Sequence, residues 1–202
     1  LVIHEKARLF TAVPLDPPAR FACGEQIREL RSRLSFRRWV HPGDLHITLF
    51  FLGDTEPGRA DSVLRALSSA AAAAAPFSLA LNGLGVFGRP AAPRILYAGV
   101  TGDLRALACL QKEVVRCLEP LGYAAEVRPY RPHLTIARNY EGKEPLPGDV
   151  IAGEFSSAGW TVREFVLFRT HMGRSPMYEA IARFPLKGRP QEVRPGEGRD
   201  RE

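Results

Sequence analysis

Two short segments of this 202-residue chain carry the residue types that proton-transfer chemistry needs. Leu45-His46-Ile47-Thr48-Leu49 and Pro132-His133-Leu134-Thr135-Ile136 share the form His-apolar-Thr-apolar, 87 positions apart. Each has the composition of a strand, in which alternate residues point to opposite faces. His46 and Thr48 then share one face, and His133 and Thr135 share another. Ile47, Leu49, Leu134 and Ile136 fill the faces behind them. If the two halves of the chain are related by a pseudo-twofold axis, the polar faces meet in a groove with two imidazoles and two hydroxyls. Such a groove suits attack on a phosphodiester. One imidazole takes a proton from water and the other gives one to the leaving oxygen, both feasible near an imidazole's ordinary pKa of about 6.5. The threonine hydroxyls donate to non-bridging oxygens as charge builds on them. A single His-x-Thr in a strand is more often a satisfied polar pair than a catalytic one. Two copies in corresponding places, among only five histidines, tip the balance.

Competing chemistries lack their patterns. No HxH, HExxH or CxxC occurs, and neither motif holds an acidic residue, so no metal is expected. No GxSxG is present, and Cys109 and Cys117 read as core or boundary residues of a helix rather than nucleophiles. The glycine turns GLG and GVFGRP match neither a P-loop nor a dinucleotide fingerprint, so no cofactor is expected. His4, His41 and His171 fit no motif and read as structural or solvent-exposed.

The elements that must position the motifs follow from periodicity. Strands are expected over 8–15, 46–52, 77–87, 94–100, 133–138, 160–170 and 177–184. Asp16-Pro17-Pro18 reads as a cap with proline in the first turn, opening a helix with Phe21, Ile27, Leu30 and Leu34 inward. A second helix spans about 57–75 and includes the alanine run 70–75. A third carries the apolar stripe Leu104, Leu107, Ala108, Gln111, Val114, Val115 and Leu118. Few helices among hairpin-length connections make this an α+β fold of antiparallel sheets. Residues 1–186 read as one domain. The segment 187–202, with five basic and four acidic residues, reads as a disordered charged tail. The loop 141–159 reads as a surface segment or a cover for the cleft.

Composition bounds the setting. An odd count of three cysteines argues against a disulfide framework and for a reducing, cytoplasmic location. No apolar run reaches the roughly 18 to 20 residues of a membrane span, and the N-terminus has no cleavage signature. The net charge of +6 favours an anionic partner.

In these residues the chain resembles the 2H phosphoesterase superfamily, named for its two HxTx motifs. More narrowly it is similar to the RNA 2′,3′-cyclic phosphodiesterases, also called 2′-5′ RNA ligases. RLFTAVPL (8–15), WVHPGDLHITLFFLGD (39–54), YRPHLTIAR (130–138) and VLFRTHMGRSPMYEAIARFPL (166–186) carry the likeness. The resemblance implies a bilobal fold with two antiparallel sheets facing a central cleft, and a monomer. It implies an RNA end or small nucleotide with a 2′,3′-cyclic phosphate as substrate, a 2′-phosphomonoester as product, and a possible reverse 2′-5′ ligation without ATP. It makes His46 the general acid, His133 the general base, and Thr48 and Thr135 phosphate-binding hydroxyls. It places Arg138 toward the phosphate, although in a regular strand Arg138 lies on the face opposite His133 unless a bulge or strand end turns it. Phe10 and Tyr130 are candidates for stacking on a base or for the core, and Arg131 for a secondary phosphate contact. Two alternatives stay open: an RNA-binding module without turnover, and a phosphodiesterase for a small cyclic phosphate such as ADP-ribose 1″,2″-cyclic phosphate.

Overall fold

The computed structural model describes residues 5–124, 127–152 and 155–188. The chain opens with strand β1 (Ala7–Pro14), which Pro14 ends. Asp16 caps helix α1 (Pro17–Arg33) by accepting from the Ala19 amide at 2.9 Å, with proline in the first turn as expected. A short strand, β2 (Phe36–Trp39), and a 3-10 turn lead into β3 (His46–Thr55). Helix α2 (Ala60–Ala73) follows, with Val63, Leu67, Ala70 and Ala71 buried, so the alanine run does form the end of a helix. The hairpin β4 (Phe77–Arg89) and β5 (Ala92–Gly102) leads to α3 (Leu104–Leu118). Then come β6 (His133–Tyr140), the short α4 (Gly148–Ala152), β7 (Trp160–Val162), β8 (Glu164–Thr170) and β9 (Tyr178–Pro185).

The described strands form one curled antiparallel sheet in the order β7-β4-β5-β6-β3-β1-β8-β9, with β2 on the free edge of β6. The order reads the same from either end: β6 and β3 are central, β5 and β1 flank them, and β4 and β8 come next. The first half of the sequence thus lends β4 to the β5-β6 arm, and the second half lends β8 and β9 to the β3-β1 arm. The two expected sheets are the arms of this one sheet, joined where Ile47 pairs with Leu134. Both residues are fully buried, and α2 and α3 pack on each other behind them.

Four expectations need correction. The run 160–170 is not one strand. Arg163 separates β7, which pairs with β4, from β8, which pairs with β1 at the other arm. Phe21 points outward and is 72% exposed, because α1 buries Ala19, Cys23 and Ile27, spaced by four, and two residues turn a helix by about 200°. Cys109 is exposed on α3. Lys187 and Gly188, expected in the disordered tail, are instead held by their amides, which donate to the Ala71 and Ala74 carbonyls at the end of α2; the rest of the expected tail, 189–202, lies outside the described residues.

Candidate active site

The Ile47–Leu134 pair decides the site. With these two turned into the core, their neighbours His46, Thr48, His133 and Thr135 turn together to the other face, where each is half-buried. Antiparallel pairing sets His46 beside Thr135 and His133 beside Thr48. The two imidazoles are oriented alike. His46 Nδ1 donates to the Asp44 carbonyl at 2.6 Å, and His133 Nδ1 donates to the Arg131 carbonyl at 2.8 Å. Each Nδ1–H is thereby fixed and each Nε2 is left for chemistry. His46 Nε2 lies 3.1 Å from Thr48 Oγ1.

Both motif strands bulge three residues after the histidine. Against β1, Thr11 pairs with Phe50 and Ala12 with Thr48, so Leu49 is the extra residue. Against β5, Leu96 pairs with Ala137 and Tyr97 with Thr135, so Ile136 is the extra residue. A bulge shifts the phase of every later side chain. Leu49 and Phe50 are both buried, as are Ile136 and Ala137, and the fifth residue after each histidine returns to the cleft face. In β6 that residue is Arg138, which satisfies the condition set for it above. In β3 it is Phe51, 58% exposed and unremarked in the sequence. Strict alternation had hidden it. Aligning His46-Ile47-Thr48-Leu49-Phe50-Phe51 on His133-Leu134-Thr135-Ile136-Ala137-Arg138 would have found it.

A second arginine joins Arg138. Arg38 in β2 is its direct partner in register, so both guanidiniums leave the same face of the sheet. Both side chains are exposed, and no carboxylate pairs with either among the described residues. Like charges placed directly opposite repel, a cost that an anion between them removes.

The walls around the two histidines differ. His46 sits among Phe10 (4.9 Å between ring centres), Tyr178 (5.2 Å, edge-on) and Phe168 (6.0 Å). Desolvation there lowers its pKa to about 4, helped by the charge of Arg138 and of His133; the hydrogen bond to Asp44 and that residue's charge oppose the fall. His133 has Phe87 (5.0 Å, edge-on) and Tyr97 (5.6 Å) on one side.

Phe10 is only 2% exposed, with His46, Phe51, Phe168 and Tyr178 around its ring. It is the floor under His46 and has no face left for a base, which corrects the stacking expectation. Tyr130 packs against the core and donates from its hydroxyl to the Thr48 carbonyl at 2.9 Å, tying the loop before β6 to β3. Arg131 orients His133 through its main chain, and its side chain is exposed. His41 accepts from the Gly43 amide, and His171 bonds Glu179, both outside the cleft pair. Among the described residues, no three His, Cys, Asp or Glu side chains cluster as a metal site, and no helix is long and apolar enough to cross a membrane.

Comparison with known proteins gives a consistent picture. Residues 14–174 match the model of the 2′-5′ RNA ligase superfamily. An RNA 2′,3′-cyclic phosphodiesterase of Geobacillus stearothermophilus is 43% identical over 195 residues, which are 96% of this chain and 62% of that one. The chain thus spans less than two thirds of that relative's length. One from Thermus thermophilus is 32% identical over 94% of this chain and 97% of its own. Among solved structures, TT0787 of Thermus thermophilus superposes with a TM-score of 0.71 at 29% identity, covering 90% of this chain and 98% of that one. E. coli LigT complexed with 3′-AMP shares the fold, with a TM-score of 0.70 at 24% identity and coverage of 90% and 99%.

Proposed function

The chain belongs to the 2′-5′ RNA ligase superfamily, and from that premise we propose that it hydrolyses 2′,3′-cyclic phosphate ends of RNA to 2′-phosphomonoesters. The observation that carries the reading is the pair of like-oriented imidazoles, each with Nδ1 tied to a carbonyl and Nε2 left for the phosphorus. Water attacks phosphorus as His133 Nε2 takes its proton. The new P–O bond forms, the P–O3′ bond breaks, and His46 Nε2 delivers its proton to O3′. Thr48, Thr135 and Arg138 hold the non-bridging oxygens, where negative charge grows in the transition state. Phe51 offers its exposed face to the terminal base, as single-stranded nucleic acid is held by stacking.

The two titrations are coupled, and the reacting form carries one proton on the pair, on His46. A lowered pKa makes His46 a strong acid but leaves it mostly bare in the empty cleft. The negative phosphodiester favours the imidazolium and loads the proton as it binds. No step calls for a metal or ATP, both histidines come from one chain, and the three cysteines are free, so we place the activity in a monomer suited to the reducing cytoplasm. 2′-5′ ligation follows when an RNA 5′-hydroxyl takes the place of water: His133 Nε2 takes its proton, the P–O5′ bond forms, the P–O3′ bond breaks and His46 Nε2 protonates O3′.

Hydrolysis of an RNA oligonucleotide with a 2′,3′-cyclic end, in excess EDTA, tests the proposal. The expected product is the 2′-phosphomonoester. A 3′-phosphate product would refute the assignment of His46 to O3′, and no turnover would refute the activity.

A further inference from the structure

The carbonyls that orient the two imidazoles come from very different residues. Arg131 is exposed. Asp44 is 6% exposed, and among the described residues no cation pairs with its carboxylate. One oxygen instead accepts the Met177 amide at 2.9 Å and the other the Tyr178 amide at 3.0 Å. A carboxylate kept dry and held by neutral donors is costly, so its place invites a reason. Tyr178 begins β9, and its ring meets His46 and Phe10 edge-on, at 5.2 and 4.8 Å. Asp44 therefore reaches His46 from two sides. Its carbonyl holds Nδ1, and its carboxylate holds the main chain that carries the ring closing over the imidazole.

We propose that Asp44 is the positioning residue that makes His46 the acid of the pair, holding its tautomer and its aromatic lid and supplying the negative charge that favours the imidazolium once substrate is bound. The inference rests on the acid role assigned to His46 above. Among the described residues, the charged and titratable groups facing His46 are Asp44 from the preceding loop, His133 and Arg138 from β6, and Tyr178 from β9. Asp44 is the one anion among them. The corresponding position before His133 holds a cation, Arg131.

The sign of the effect is fixed. kcat/KM rises through the lower apparent pKa of the pair, which His46 sets. Removing the Asp44 charge lowers that value. The acid limb then moves to lower pH, and the plateau falls because less of the one-proton state has its proton on His46. Each unit of the move goes with an about tenfold lower plateau.

The test uses Asp44→Asn, Asp44→Glu and the wild-type protein. Expected for Asp44→Asn, which keeps the carbonyl that holds Nδ1 but removes the carboxylate charge, are a plateau of kcat/KM about tenfold lower or less, an acid limb displaced to lower pH, and a His46 imidazole ¹⁵N titration displaced the same way with the Nδ1–H tautomer retained. Asp44→Glu, which keeps the charge but displaces it, restores the limb while recovering only part of the rate. A uniform loss across pH with an unchanged His46 ¹⁵N pattern would overturn the inference and leave the proposed activity standing. So would an unchanged rate with only a lower melting temperature. If the wild type hydrolyses no cyclic phosphate, the activity fails instead, and the ¹⁵N comparison still decides whether Asp44 holds His46. Should Asp44→Asn not fold, Asp44→Glu carries the test: a normal limb and tautomer with reduced rate supports the inference, and a displaced limb despite the retained charge refutes it.

Discussion

The two halves of the cleft share one plan and use it differently. Each presents a histidine fixed by the carbonyl two residues earlier, a threonine two residues later, and a bulge at the third residue that returns the fifth to the cleft. On the β3 side the surroundings are aromatic and closed: Phe10, Phe168 and Tyr178 around His46, with Phe51 at the rim. On the β6 side the rim is cationic, with Arg138 facing Arg38. Repetition brings two like groups to one cleft, the arrangement that the proposed in-line reaction needs. Divergence at a few positions supplies the division of labour. In the proposed reaction the apolar arm carries the nucleoside and the acid, and the cationic arm carries the phosphate and the base.

The largest effect should come from breaking both arms at their centres. His46→Ala and His133→Ala should each lower kcat by about 10³, within the usual range for a general acid or base. The double variant should be little worse than either single one, because the two act as a unit. A phosphodiester with a nitrophenyl leaving group sharpens the comparison, as such a group departs without a proton. It should restore much of the activity of His46→Ala and none of that of His133→Ala. Equal rescue of both would mean that the arms do not divide acid from base.

The fifth positions separate the arms next. Arg138→Ala should cost about 10² in kcat, since fixed donors act on the charge of the transition state. Arg138→Lys should recover only part, because an ammonium lacks the planar fork that grips two oxygens. Phe51→Ala should instead raise KM about tenfold with a small change in kcat, the effect of losing one stacked base. Phe51→Trp should retain wild-type behaviour. Steady-state kinetics on one oligonucleotide distinguishes these patterns, and a kcat defect in Phe51→Ala would show that its ring serves the chemistry rather than the binding.

Much of this was legible in the sequence because the repeat is short and the period of a strand is two. His46, Thr48, His133 and Thr135 follow from spacing alone, and the α+β antiparallel class follows from hairpin-length connections. What escaped depends on contacts that alternation does not encode. Phe51 needed the bulge at Leu49, and only Arg138, through its resemblance to the family, had raised the possibility of one. Phe10 reads equally as core or stacking platform until Phe168 and Tyr178 arrive from strands more than 150 residues away. The short β2 is four residues long, too brief to carry a periodic signal. Asp44 looks like an ordinary loop acid, because its partners are main-chain amides 133 and 134 positions later.

The smallest effect is expected at Arg38, and it bears on how far the cationic arm extends. Arg38 stands opposite Arg138 on the cleft side of β2. In the proposed complex it serves a further phosphodiester rather than the reacting phosphate, a group that an RNA strand has and a mononucleotide lacks. Arg38→Ala should lower kcat/KM a few-fold on an oligonucleotide and leave a 2′,3′-cyclic mononucleotide unaffected. The salt dependence on the oligonucleotide should weaken by about 0.7 in logarithmic slope, the mark of one lost phosphate contact on a single strand. Equal losses on both substrates would place Arg38 at the reacting phosphate itself, and the two arginines would then form a single clamp rather than a row.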